Sequence, residues 1–187
     1  MPFFLRFPGA VLFLAGAFFL SWGCASSPPA SAALTQTRII PGVAFLPQQD
    51  ETCGPTSLSM LLRFHGKDAS AQELQEETRT SGLRGSLITD LAQAARRRGV
   101  GAEVVSLELP GLLSRVVAGE PVILLVDQGM LLWSRPHYMI VYGATPEGVI
   151  AHSGQTEGAV ISYGALEKQW SKMGSLAIVA PVSEQPE

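Results

Sequence analysis

Apolar residues at Leu58, Met60, Leu61, Leu62 and Phe64 follow helical spacing and predict a helix from Cys53 to about His65. Pro55 suits its first turn, where a missing N–H costs nothing, and Gly66 stops it. Ser70-Ala71-Gln72-Glu73 is a capping-box pattern that opens a second helix, running to about Arg79. After a loop over 80–85, Ser86 is placed to cap a third helix. Leu87, Ile88, Leu91, Ala94 and Ala95 form its apolar face, Asp90, Gln93, Arg96 and Arg97 its polar face, and Gly99 ends it. A strand over 102–107 and a short helix over 110–118 follow. The run over 121–127 is almost purely apolar, as a central strand is. The loop over 128–136 carries Met130, Leu131, Leu132 and Trp133. These either line a substrate cleft or fold back onto the core, and folding back is the expectation. Strands over 137–142, 148–152 and 159–162, a helix over 163–170 and a last strand over 175–180 complete the pattern. Near the start, Ile39-Ile40 and Val43 to Leu46 read as a short strand. Helices precede antiparallel strands, which indicates an α+β fold with N-terminal helices packed on a C-terminal antiparallel sheet. No internal repeat is visible.

The N-terminus departs from this pattern. Residues 1–20 hold one charge, Arg6, and an apolar run from Val11 to Leu20 that is short for a bilayer span, so a secretory signal is expected. It ends in Ser21-Trp22-Gly23-Cys24, which resembles a bacterial lipoprotein cleavage site. The resemblance implies a signal over 1–23, a lipid on Cys24 and membrane attachment. Leu20 lies one place further from Cys24 than the usual leucine, and Trp22 is bulky for its position, so a plain signal peptide or an uncleaved anchor is the alternative. Ala25 is not aspartate, which in Gram-negative lipoproteins implies the outer membrane, on its periplasmic face. Ser, Ala, Pro and Thr dominate 24–38, a flexible tether. A single domain over 39–182 and a polar tail over 183–187 remain.

The chain's 187 residues suffice for one domain with a real core. Net charge is −3, or −4 once Arg6 leaves with a signal, and no basic block interleaves with aromatics, so nucleic acid is excluded as a partner. Arg96-Arg97-Arg98 reads as a solvated helix end.

The polar stretch from Pro47 to Thr52 leads directly into Cys53-Gly54-Pro55, which places Cys53 at or just before a helix N-terminus. Unpaired N–H groups and the helix dipole stabilise a thiolate there. Gln48, five residues upstream, could aim a carboxamide N–H where the Cys53 backbone N–H points, and two converging donors make an oxyanion hole. The plainer reading is a buried structural cysteine. If Cys24 carries a lipid, Cys53 is left as a lone thiol in an exported chain, a candidate reactive group; a Cys24–Cys53 disulfide is the other possibility. A nucleophilic cysteine needs a base. His65 lies twelve residues along the same helix, roughly 18 Å away, and reads as a helix cap. His137 opens a strand after a loop and can face a helix terminus packed across the sheet, although a histidine bonded to backbone is the ordinary alternative. Two cysteines and three scattered histidines supply no ligand cluster, so no metal or other cofactor is expected.

Gln48-x-x-x-x-Cys53-Gly54-Pro55 with Leu58-x-Met60, and His137-Tyr138 followed by Gly143, together resemble the bacteriocin-processing, double-glycine-leader peptidases, in particular stand-alone exported relatives. The resemblance spans about 40–181 and includes Gly85-Ser86-Leu87, Ala94 to Gly99 and Trp170. It implies a papain-like fold, Cys53 as nucleophile, His137 as general base then acid, and Gln48 as oxyanion donor. It also implies a peptide or protein substrate, and a separate export system if cleavage is coupled to secretion. The chain departs from the family at the third catalytic member. The family has an aspartate about sixteen residues after the histidine, where this chain has Ser153, in Ala151-His152-Ser153-Gly154. Strand alternation lets Ser153 or His152 orient His137, not both. With His152 in that role the chain would be a cell-wall amidase or endopeptidase (NlpC/P60 type), although Thr52-Cys53-Gly54-Pro55 differs from the usual Asp-Cys-Ser-Gly. A peptidase-fold binding module that has lost activity is the third reading.

Overall fold

β3 (Val122–Asp127) is buried along its whole length, because the sheet around it is covered on both faces. A computed structural model describes Met1, Leu34 and residues 36–82, 85–130 and 132–182. The expected signal, Cys24, most of the tether, Leu131 and the 183–187 tail lie outside the described residues. The remaining elements, in chain order, are β1 (Arg38–Ile39), α1 (Cys53–Phe64), α2 (Ala71–Thr78), α3 (Ile88–Arg97), β2 (Glu103–Ser106), α4 (Leu109–Val117), β4 (Pro136–Ala144), β5 (Gly148–Ser153), β6 (Thr156–Ser162), α5 (Tyr163–Ser171) and β7 (Leu176–Val179). The strands form one antiparallel sheet in the order β2-β7-β3-β4-β5-β6, with β1 added to β4. The fold is α+β, as the order of elements indicated.

Strand alternation divides the core in two. Ile123, Leu125, Tyr138 and Ile140 meet α1, α2 and α3 through Leu58, Leu61, Leu74 and Leu91. Val122, Leu124, Met139 and Val141 turn to the opposite face, where Leu112 and Val116 of α4 and Leu166 and Trp170 of α5 cover them. The sheet is therefore sandwiched, and α4 and α5 form a second helical layer beyond the N-terminal one.

Two local expectations change. Val43 to Leu46 form no strand, because their backbone is satisfied by side chains instead: Leu46 N–H points at Met60 Sδ (3.4 Å) and the Val43 carbonyl at His152 Nε2 (3.1 Å). Ser86 does not cap α3, whose N-cap is Leu87. Its hydroxyl lies 2.6 Å from Thr78 Oγ1 and its backbone bridges to Arg79. The basic triplet is a solvated helix end, with Arg96 and Arg97 exposed, and it also clamps α3 to its neighbours. Arg97 and Arg98 grip Glu77 of α2, at 2.5 and 2.8 Å, and Arg96 donates to the Ala102 carbonyl at 2.7 Å. The Ser70–Glu73 capping box forms as the sequence implied. His65 is the C-cap of α1.

Leu61 is fully buried between α1 and the sheet. Leu61→Ala is expected to lower unfolding free energy by about 2–5 kcal/mol, read from urea melts. The Arg98 and Arg97 guanidiniums hold the Glu77 carboxyl below the ordinary glutamate range. A lowered folded-state pKa contributes stability above the unfolded value and loses it as pH falls through the folded one. Glu77→Gln should therefore flatten the acid side of the stability–pH profile and leave the profile above neutrality parallel to wild type.

Candidate active site

A single 3₁₀ turn, Asp50–Thr52, feeds the chain into α1 so that Cys53 is its first residue. The cysteine is buried, at 6% exposed. The adjacent Gly54 is where the helix rests on the sheet. A Cβ built there would lie 3.0 Å from the Tyr138 ring and 2.9 Å from Leu91 Cδ1. Only glycine lets the first turn approach β4 this closely. The Tyr138 hydroxyl is tied to the Ser86 carbonyl at 3.0 Å. Burial, then the neighbouring Cys53 and Asp90 charges, push the phenol well above its usual pKa, so it stays neutral.

Gln48 is buried and held from three directions. Its backbone N–H donates to the Gly154 carbonyl at 2.9 Å. Its side-chain Oε1 accepts the Gly154 N–H at 2.8 Å, and its Nε2 donates to Ser57 Oγ at 2.8 Å. The Gly154 N–H can only donate, so it fixes which end of the carboxamide is oxygen. Nε2 is thereby turned towards α1, one helical turn beyond Cys53. The anchor itself depends on a tight hairpin. Ser153 and Thr156 pair across it, and Gly154 takes φ +61° at the first of the two loop positions, where glycine is favoured.

His137 opens β4 next to Tyr138 and is 8% exposed. Its Nε2 lies 3.0 Å from Ser153 Oγ. Ser153 is therefore placed beside the imidazole. His152 is not. It pairs with Ile140 across β4–β5, so it shares that residue's face, and the pleat sends Ser153 to the other. His152 Nδ1 accepts the Gly158 N–H at 3.3 Å, so the ring proton sits on Nε2 and goes to the Val43 carbonyl. Tyr142 stacks on the ring at 4.2 Å, and Phe45 tilts against it at 5.3 Å. Both nitrogens are occupied by backbone. The orienting role considered for His152, and with it a Cys-His-His set, is corrected on this geometry.

A cleft of about 500 Å³ runs past Cys53, floored by Leu125, Tyr138, Met173 and Leu176 and rimmed by Glu51 and Gly85. A smaller polar hollow of about 340 Å³ holds His137, Ser153, Thr156 and Gln169. Cys53 and Pro136 line the first, and Arg135 and His137 the second. The loop before β4 was expected to fold onto the core. Instead Met130, Leu132 and Trp133 are 83%, 87% and 81% exposed. Its neck is fixed by Asp127, whose Oδ1 accepts the Gly129 and Arg135 N–H groups at 2.7 and 2.8 Å. Those bonds hold the carboxyl below the usual aspartate range. The sequence reading overlooked Ser57, Gly154 and Asp127. Ser57 carried a signal, four residues after Cys53 and hence on its side of the helix. Gly154 and Asp127 carried none beyond turn propensity.

A cysteine on the first turn of a helix, with a histidine opening a strand of the sheet beneath it, is the plan of the papain-like cysteine peptidases. The chain belongs to the Peptidase C39 family, which matches residues 44–184. It is 30% identical over 139 residues to the pediocin PA-1 transport/processing ATP-binding protein PedD of Pediococcus acidilactici, covering 72% of this chain. The match spans only 18% of that relative's length. The fold is shared with a putative C39-like peptidase from Bacillus anthracis (TM-score 0.67, 20% identity, 80% of this chain and 100% of that one). It is shared also with the peptidase domain of Streptococcus ComA, a bifunctional ABC transporter involved in quorum sensing (TM-score 0.62, 24% identity, 74% and 98%).

Gly54→Ala forces a methyl against a ring that its hydroxyl bond keeps from turning away. The expected cost is about 1–3 kcal/mol, measured by thermal or urea unfolding. Tyr138→Phe in the same background should restore part of it by freeing the ring.

Proposed function

We propose that the chain is an exported, lipid-anchored cysteine peptidase in which Cys53 is the nucleophile, His137 the base and Gln48 an oxyanion donor. The observation that carries this reading is the β5–β6 turn: its Ser153 hydroxyl meets the His137 ring while its Gly154 N–H orients Gln48. Ser153 Oγ accepts the Nε2 proton, which leaves Nδ1 as the basic nitrogen. Nδ1 takes the Cys53 proton as the sulfur attacks a peptide carbonyl. The negative oxygen is met by the second Nε2 proton of Gln48 and the Cys53 backbone N–H at the start of α1. His137 then protonates the leaving amine, and a thioester to Cys53 remains. Water, deprotonated by His137, hydrolyses the thioester and restores the thiol.

The substrate is a peptide, and a leader segment is supported by the relative named for transport and processing of pediocin. The chain spans 18% of that relative's length, and an export system is part of this proposal as a partner. The apolar floor of the cleft suits uncharged side chains next to the scissile bond. A serine hydroxyl holds the tautomer but stabilises an imidazolium less than a carboxylate does, so turnover is set lower than with an aspartate at this position.

A thiol-reactive probe should label Cys53 faster than a free thiol below neutral pH, and His137→Ala should abolish the advantage. Ser153→Ala is expected to cut turnover about fivefold, the worth of one neutral hydrogen bond of ~1 kcal/mol, and Ser153→Asp to raise it. Peptides released in cell extract, compared by mass spectrometry between wild type and Cys53→Ala, identify the substrate. Labelling at the free-thiol rate together with an unchanged peptide set overturns catalysis in favour of a binding module.

A further inference from the structure

The loop between β3 and β4 presents Met130, Leu132 and Trp133 outward on a fixed neck. Beyond the two Asp127 bonds, the Gln128 N–H donates to the Arg135 carbonyl at 3.0 Å, and the Trp133 N–H closes a turn onto the Met130 carbonyl at 2.7 Å. Lys172 of the segment after α5 reaches Asp127 Oδ2 at 3.8 Å and the Gly129 carbonyl at 3.4 Å. A neck pinned this way leaves the tip no path to the core. At more than 80% exposure, Met130, Leu132 and Trp133 form no pocket between them. A peptide side chain needs a concave surface to be buried, whereas a lipid interface buries a convex tip. Tryptophan is the side chain that settles at a membrane–water boundary, with its ring in the apolar layer and its N–H wet.

We infer that Met130, Leu132 and Trp133 are a lipid-docking tip that seats the peptidase against a bilayer, with the start of β4 and its cleft at the membrane face. The inference rests on the anchoring through Cys24 proposed above. The geometry permits both contacts on one bilayer. β1 pairs Arg38 with Ala144, so the tether joins at the opposite end of β4 from the loop. The nine residues of β4 span about 30 Å. The tether from Cys24 to Arg38 extends to about 50 Å. The anchor therefore restrains the domain without dictating which face meets the lipid, and the loop tip makes that choice.

The test uses the lipidated chain from Cys24 onward, in which Trp133 is the exposed tryptophan and Trp170 is buried. It is reconstituted with phosphatidylethanolamine–phosphatidylglycerol vesicles, with and without brominated acyl chains. Brominated vesicles should quench the Trp133 emission at least twofold more than plain ones. The Met130→Ser/Leu132→Ser pair should lose most of that quenching while still floating with vesicles. Flotation with no bromine effect overturns lipid docking and leaves anchoring intact. Failure to float at all overturns both. Shielding of Trp133 that appears only when a peptide substrate is added, and never with lipid alone, overturns docking in favour of a peptide contact. Probe labelling of Cys53, read on the same samples, reports the peptidase reading separately.

Discussion

The two-residue turn between β5 and β6 supports both sides of the site. Ser153, its last strand residue, reaches the imidazole, and the neighbouring Gly154 reaches the carboxamide that lies along the cysteine helix. These groups, on His137 and Gln48, come from segments far apart in the chain. If the turn shifts by an ångström, both contacts lengthen together. Preorganisation of donors and base is what an acyl-transfer site needs, because dipoles already in place cost no reorganisation as charge develops. The left-handed backbone of Gly154 thus helps to position both groups, although its side chain is a hydrogen atom.

A second constraint sets how deep the helix sits. Gly54 brings the first turn of α1 onto the Tyr138 ring, and the Tyr138 hydroxyl is tied back to the segment before α3. The helix end, the sheet and the α2–α3 layer are therefore located against one aromatic ring. The Glu77–Arg97–Arg98 clamp and the Thr78–Ser86 contact hold the same layer from behind. The position of Cys53 relative to β4 is fixed by packing rather than by flexible polar contacts, which suits a buried thiol that must meet a partner on another element.

Much of this was legible in the residues. The spacing of Leu58, Leu61 and Leu62 gave α1, Ser70 and Glu73 gave α2, and the apolar run over 122–126 gave a strand covered on both faces. What failed had a physical cause in each case. Ser86 has the composition of a cap, but a hydroxyl partner on Thr78 and a backbone bridge to Arg79 outcompete that use. Val43 to Leu46 have strand composition, but no open ladder position receives them, and side chains of α1 and β5 satisfy their backbone instead. The apolar loop at 130–133 was assigned to the core because burial is the commoner fate of such residues. Asp127 draws the neck tight and keeps its tip outside.

The sequence by itself determined the elements, the cysteine at a helix start and the histidine at a strand start, because these are local matters of period, capping and motif. It could name two candidates for the group beside that histidine and not choose between them. The choice required the cross-strand register. Pairing His152 with Ile140 commits its ring to the face where Val43 and Gly158 take both nitrogens, and the pleat leaves Ser153 on the face of His137. Register is a property of two strands at once, so no reading of one strand contains it.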